Sequence, residues 1–210
     1  MKKKTKDAKR AKRGKRIRAV MFNLPNQLTF LRLILSAVLF CFITWEYYLT
    51  SMWLFIVAAG TDWLDGYYAR KYNEVTTLGR ILDPFADKVI VCGTFIFIMA
   101  VPVTAKVPWG LQAWMVVVIV GRELLVTALR SFIEDRGSDF SAKMSGKLKM
   151  VLQCVAAGVC LFYLSYDAPQ TKNAATWCWL LLVGSIWSAL ILTVYSGVVY
   201  VRAAVRLLRE

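Results

Sequence analysis

Asp62-Trp-Leu-Asp65-Gly66-Tyr-Tyr-Ala69-Arg70, followed by Gly79-Arg-Ile-Leu-Asp83-Pro-Phe-Ala-Asp87, sets four carboxylates inside two apolar stretches, Met52–Tyr68 and Ile81–Val101. The i, i+3 pair Asp62/Asp65 and the i, i+4 pair Asp83/Asp87 each put both acids on one helix face. Four carboxylates cannot converge in a low-dielectric setting as bare anions, because each requires a proton or a cation. Oxygen donors with no Cys or His among them suit a hard divalent ion, Mg²⁺ or Mn²⁺. Such ions usually serve to handle phosphates.

The surrounding chain says where this chemistry takes place. It is 58% hydrophobic with a mean hydropathy of +0.52. Windows near membrane-spanning length run over Leu28–Tyr48, Met52–Tyr68, Ile81–Val101, Trp109–Leu129, Leu148–Tyr166 and from Ala174 to Val201. A helix needs roughly 20 such residues to cross the hydrocarbon core. A soluble helical protein would need more polar residues to coat it. The pattern therefore predicts an all-α integral membrane protein, with six transmembrane helices around a polar cavity open to the cytoplasm. Residues 21–210 form one domain, preceded by a basic cytoplasmic tail over 1–20, expected to be disordered.

Orientation follows from the cations. With six spans, the termini and the second and fourth connections share one side. That side carries 22 Lys/Arg outside the spans or, for Lys149, in a span's first turn, whereas the opposite loops carry only Lys106 and Lys172. The bias predicts a multi-pass protein with both termini in the cytoplasm. The first 18 residues hold 11 positive charges and one Asp. They read as a tail lying near anionic headgroups rather than a nucleic-acid reader, since no aromatic interleaving accompanies them. No small-residue cleavage site follows the first span, which argues against a signal peptide. The Trp and Tyr residues near span ends read as interfacial anchors.

Cys41, Cys92, Cys154, Cys160 and Cys178 are scattered through apolar spans without paired spacing, so they read as small apolar residues. The chain has no histidine. Acid–base work therefore falls to carboxylates, Lys, Tyr or Cys. No glycine-rich phosphate loop or dinucleotide fingerprint is present either.

The pattern Asp-x2-Asp-Gly-x2-Ala-Arg-x8-Gly-x3-Asp-x3-Asp resembles the signature of the CDP-alcohol phosphatidyltransferase family at every fixed position. Asn23-Leu-Pro25-Asn26-Gln-Leu28-Thr29-x-x-Arg32-Leu33 is similar to the entry to the first span in that family's bacterial phosphatidylglycerophosphate branch. Gly121-Arg122-Glu123-Leu-Leu-Val-Thr127-Ala-Leu-Arg130 and Gly146-Lys147-Leu-Lys149 resemble the branch's fourth and fifth spans. The likeness covers about residues 20–200 and leaves the basic tail outside it.

This resemblance implies a reaction in which an alcohol displaces CMP from a CDP-linked lipid. For this branch the donor is CDP-diacylglycerol, the acceptor sn-glycerol 3-phosphate and the product phosphatidylglycerophosphate. It further implies that Asp62, Asp65, Asp83 and Asp87 ligate one or two Mg²⁺ or Mn²⁺ ions gripping the diphosphate. Asp87 is also the expected catalytic base, although a metal-held carboxylate is a weak one and orienting the hydroxyl is its alternative task. Pro25, Asn26, Thr29, Gly66, Ala69, Arg70, Thr76 and Gly79 are implied for CDP-diacylglycerol. Asn26 and Thr29 have helix capping as their plainer reading, Gly66 and Ala69 helix packing, and Arg70 a surface charge.

The acceptor's phosphate needs a cationic pocket. Arg122 is the sharpest candidate, about 12 Å inside the cytoplasmic end of the fourth span if that end is Arg130. Arg130, Lys147 and Lys149 are further candidates, each with an ordinary interfacial charge as the alternative. Arg32 falls in the same open class, and Glu123 is expected to neutralise a buried cation not identifiable from sequence. The resemblance also implies a homodimer in a bacterial inner membrane, among membrane lipids. The motif reads the CDP group, so inositol phosphate, serine or a lipid stay open as acceptors. A cation-coupled transporter is the alternative of another class, and a non-catalytic scaffold a weaker one. Against the transporter, the acids gather at one end and the two halves show no repeat.

Overall fold

Lipid offers the backbone no hydrogen-bond partner, so an apolar spanning segment satisfies its own N–H and C=O groups by becoming helical. The computed structural model follows that rule for every apolar window. It describes residues 24–72, 77–104, 107–134, 144–166 and 176–209; the side chains of 24–26, 28, 62–72, 77–81, 83, 132, 134, 144–147 and 207–209 lie outside the description. The helices are α1 (Leu24–Thr44), α2 (Tyr48–Tyr72), α3 (Thr77–Ala100), α4 (Ala113–Glu134), α5 (Met144–Tyr166) and α6 (Thr176–Arg209). No strand occurs among the described residues.

Helix α1 packs on α2 and α3, while α6 packs on α4 and α5. Contacts of α3 with α4 and α5, and of α2 with α5, join these two triplets around a shared apolar core. Leu39, Phe55, Ile98, Met115, Leu161 and Ile186, one from each helix, are all essentially buried there. The outward face is also apolar: Val117 is 70% exposed and Ile191 64%, with Ile34, Leu124 and Leu180 close behind. A water-soluble domain does not coat itself this way, whereas a lipid-facing one must. Leu148–Tyr166 and Thr176–Arg206 are long and apolar enough to cross a membrane, and Thr29–Thr44 and Tyr48–Thr61 are shorter apolar helices.

Several boundaries differ from the sequence expectation. Helix α1 starts at Leu24, so Asn26 and Thr29 lie within the helix and are not caps. Pro25 sits in the first turn, where its missing N–H would have had no helical partner. Gly79 is inside the first turn of α3. Trp109 precedes α4 in a left-handed turn (φ 59°), and its carbonyl accepts the indole N–H of Trp187 on α6 at 3.1 Å. Helix α4 runs past Arg130 to Glu134. Arg122 is therefore about 18 Å from the helix end, deeper than expected.

Candidate active site

The predicted metal ligands stand on two neighbouring helices. Asp62 and Asp65 belong to the second half of α2, and Asp83 and Asp87 to the first half of α3. Both helices continue unbroken through these positions, so the three- and four-residue spacings are realised as single turns. Pro84 sits between the two α3 acids and cannot give an N–H to the carbonyl four residues earlier. The side chains of Asp62, Asp65, Asp83 and Arg70 lie outside the described residues, as do Gly66, Ala69 and Gly79 beyond their place on the helices, and all of Thr76. Asp87 is the predicted ligand whose side chain is described.

Asp87 is held from α1. The Arg32 guanidinium donates through Nη1 to Asp87 Oδ1 at 2.7 Å. Arg32 is only 1% exposed, while the carboxylate keeps 28% of its surface open. Thr29, Arg32 and Ser36 form a buried polar stripe at helical spacing on an otherwise apolar helix. Ser36 Oγ donates back to the Arg32 carbonyl at 2.7 Å. Arg32 is thus a buried partner of Asp87 and not an exposed interfacial charge. The sequence carried the signal in the stripe, because an intramembrane cation needs an interior anion. It could not say which anion.

The donor set fits a hard divalent ion. It is built from carboxylates, one of them fixed in direction by Arg32 yet partly open.

A second charged cluster lies deeper, between α4, α5 and α6. Glu123 Oε1 accepts from Lys149 Nζ on α5 and from its neighbour Arg122 Nη1 at 3.2 Å. Arg122 is 9% exposed and Lys149 6% by side chain. Helix α6 is shaped around Arg122. Ser196 Oγ accepts from Nη2, and the Tyr200 ring lies under the guanidinium with Cζ 5.5 Å from its centroid. At Gly197, a Cβ would come within 3.1 Å of the Arg122 Cγ. The Nε of Arg122 and that of Arg130, two turns on, are buried without a hydrogen-bond partner among the described residues. Lys147 lies outside the described side chains.

The two clusters share α3. Lys88, next to Asp87, and Cys92, one turn further, are both within electrostatic range of Glu123 and Lys149. The Arg32–Asp87 pair thereby adjoins a site of buried cations, an arrangement suited to substrates that carry several phosphates.

Comparison with known proteins agrees. The CDP-alcohol phosphatidyltransferase family profile matches residues 22–195, which include both clusters up to α6. The chain is similar to the CDP-diacylglycerol--glycerol-3-phosphate 3-phosphatidyltransferase of Bacillus subtilis (strain 168), at 34% identity over 193 residues, covering 84% of this chain and 92% of that protein. The protein of the same name from Escherichia coli (strain K12) is 34% identical over 170 residues, covering 70% and 88%. That from Shigella flexneri serotype 5b (strain 8401) is 32% identical over 195 residues, covering 88% and 96%.

Proposed function

This chain belongs to the CDP-alcohol phosphatidyltransferase family, and we propose that it transfers the phosphatidyl group of CDP-diacylglycerol to sn-glycerol 3-phosphate, giving phosphatidylglycerophosphate and CMP. The relatives' shared name supports the pair of substrates. The observation that carries the phosphate-bearing acceptor is Arg122: a cation nine-tenths buried, fixed by α6, beside a second buried cation, Lys149. An acceptor lacking a phosphate would leave Glu123 as the one anion paired with these two cations among the described residues.

In this reading the acceptor hydroxyl attacks the lipid-bearing phosphorus of the diphosphate. The bond to the bridging oxygen breaks, and CMP departs with its electron pair. Asp62, Asp65, Asp83 and Asp87 hold one or two divalent ions, Mg²⁺ or Mn²⁺. When bound, these ions neutralise the diphosphate and the charge that develops on the leaving group. Asp87 orients the attacking hydroxyl and receives its proton, while Arg32 keeps that carboxylate aimed from α1. Pro25, Asn26 and Thr29 on α1, and Gly66, Ala69, Arg70, Thr76 and Gly79 around the α2–α3 connection, receive the CDP group of the donor. Arg122 and Lys149, with Arg130 and Lys147 nearer the helix ends, take the acceptor's phosphate. The protein lies in the bacterial inner membrane as a homodimer with both termini cytoplasmic; the 22 against 2 distribution of cations in the termini, connections and span ends supports that orientation.

The test is CMP release by purified protein in detergent from CDP-diacylglycerol, with Mg²⁺, Mn²⁺ or a chelator. The acceptors compared are sn-glycerol 3-phosphate, serine and inositol phosphate. Turnover is expected with glycerol 3-phosphate and a divalent ion, and its loss on chelation and in Asp87→Asn. Equal turnover with serine overturns the acceptor assignment, and full activity in chelator overturns the metal role.

A further inference from the structure

Glu123 is a carboxylate placed where the proposed acceptor site needs positive charge. A purely structural purpose explains it poorly. Among the described residues α4 and α5 barely touch, since each packs on α3 and α6 instead. The Glu123–Lys149 pair bridges them through the interior. Burying an ion pair costs about as much desolvation as its attraction returns, and well-packed apolar residues would join the helices as firmly.

The charge balance of the cluster suggests another purpose. Arg122, Lys149 and Lys88 supply three positive charges within range of Glu123, which supplies one negative. The adjacent Arg32 and Asp87 cancel each other. Counting only the cations that act on Glu123, and not Arg130 and Lys147 nearer the helix ends, the excess of two positive charges is what a phosphate monoester carries with opposite sign near neutral pH, where its second ionisation is largely complete. One donor also remains unspent. Arg122 gives Nη1 to Glu123 and Nη2 to Ser196, while its buried Nε has no partner among the described residues.

We propose that Glu123 is the internal counter-ion of the acceptor pocket: it holds Lys149 and Arg122 in place when no anion is bound, and it tunes the pocket's charge to a phosphate monoester dianion. This deepens the functional reading above and rests on its assignment of Arg122 and Lys149 to the acceptor's phosphate. Glu123 is a positioning and specificity-determining residue in this scheme. Its carboxylate repels the incoming phosphate and, equally, the product, which keeps that phosphate. The repulsion trades affinity for release.

Two substitutions separate charge from support. Glu123→Gln keeps the shape and an oxygen for Lys149 but removes the charge. The KM for sn-glycerol 3-phosphate then falls about tenfold, and kcat falls with it as the product lingers. Glu123→Ala removes the support as well, and KM rises. Independently of turnover, inorganic phosphate raises the thermal unfolding midpoint of Glu123→Gln more than that of the unaltered protein, because the anion replaces the missing counter-ion. If Glu123→Gln does not fold by itself, inorganic phosphate during purification restores it; failure to do so overturns the proposal. A rise in KM for both variants, or equal phosphate shifts, overturns it too. Arg122→Gln and Lys149→Met test the underlying assignment: if neither changes the KM for glycerol 3-phosphate, that reading fails. If they raise it while Glu123→Gln does not lower it, the counter-ion role alone fails.

Discussion

A methyl group added at Gly93 tests whether α1 and α3 are held at the distance that the Arg32–Asp87 pair requires. A Cβ there would stand 2.2 Å from Phe40 Cζ and 2.9 and 3.0 Å from the two Cε atoms. Ordinary carbon contacts lie at about 3.5–4.0 Å, so the ring must retreat by about 1.5 Å. It has little room to do so, because Phe40 is stacked on Phe97 with centroids 4.6 Å apart and planes 5° from parallel. Either the ring swings off Phe97 or α1 moves away from α3. Overpacking of this kind costs about 1–3 kcal/mol, and Ala gains back about 1 kcal/mol over Gly in a helix. Gly93→Ala should therefore destabilise by up to about 2 kcal/mol, and Gly93→Val by more. Gly184 is the control: a Cβ there meets nothing within 4 Å, so Gly184→Ala should be neutral or slightly stabilising. Unfolding in mixed detergent micelles, followed by helical circular dichroism, measures both. Equal effects at the two glycines, or a stabilised Gly93→Ala, would refute the reasoning. Asp87 lies about 9 Å from Gly93 along α3, and Arg32 about 12 Å from Phe40 along α1. Activity should accordingly drop in Gly93→Val even where the protein remains folded.

The Arg32–Asp87 pair should show as a coupling of about 1–3 kcal/mol in a double-mutant cycle of Arg32→Met and Asp87→Ala, read from the same unfolding curves. Additivity within about 0.5 kcal/mol would mean that the contact carries no energy. Between α1 and α2, Glu46 adopts φ 64° while Glu46 N and Tyr47 N donate to the carbonyls of Ile43 and Phe42, the pattern of a helix ended by a left-handed residue. Glycine is the natural occupant of that position. Glu46→Gly should raise stability by about 0.5–1 kcal/mol and leave CMP release unaltered, and a loss of stability would contradict this account of the turn.

Fold class was legible because lipid leaves so few options: long apolar windows become helices, and all six did. The ends were less so. The Asn26 and Thr29 positions look like caps only if α1 begins at Leu28, and Arg130 looks terminal only if cations mark the helix end. Neither rule governs a helix whose last turns extend past the apolar window. In the site, the helical placement of the acids of α2 and α3 was readable from their spacing, as was the need of Glu123 for a buried cation. The pairings were not. Which cation meets which anion depends on how α1, α3, α4 and α5 are arranged and rotated, and sequence periodicity fixes a face without fixing its neighbour. Ser196, Gly197 and Tyr200 carried no signal at all, since small and aromatic residues on an apolar helix read first as packing.

The cations inside the six apolar windows are Arg32, Lys88, Arg122 and Lys149; three form the ion pairs of the two clusters, and Lys88, which donates to the Pro84 carbonyl, lies within electrostatic range of Glu123. A charge within a span costs enough that it survives only where an interior partner compensates it. Helix α3 distributes that compensation. Asp87 and Lys88 are consecutive, so about 100° separates them around the helix axis. One meets Arg32 from α1, and the other lies within range of the Glu123–Lys149 pair toward α4 and α5. A rotation of α3 therefore cannot improve one cluster's geometry without spoiling the other's. Asp87 on one flank of α3 and Lys88 on the other are held in fixed relation by a single rigid element. Under the proposed reaction, that relation sets the distance between the diphosphate being cleaved and the phosphate of the attacking alcohol. Changes that turn α3, such as bulk at Gly93, should then depress kcat more than they raise either KM.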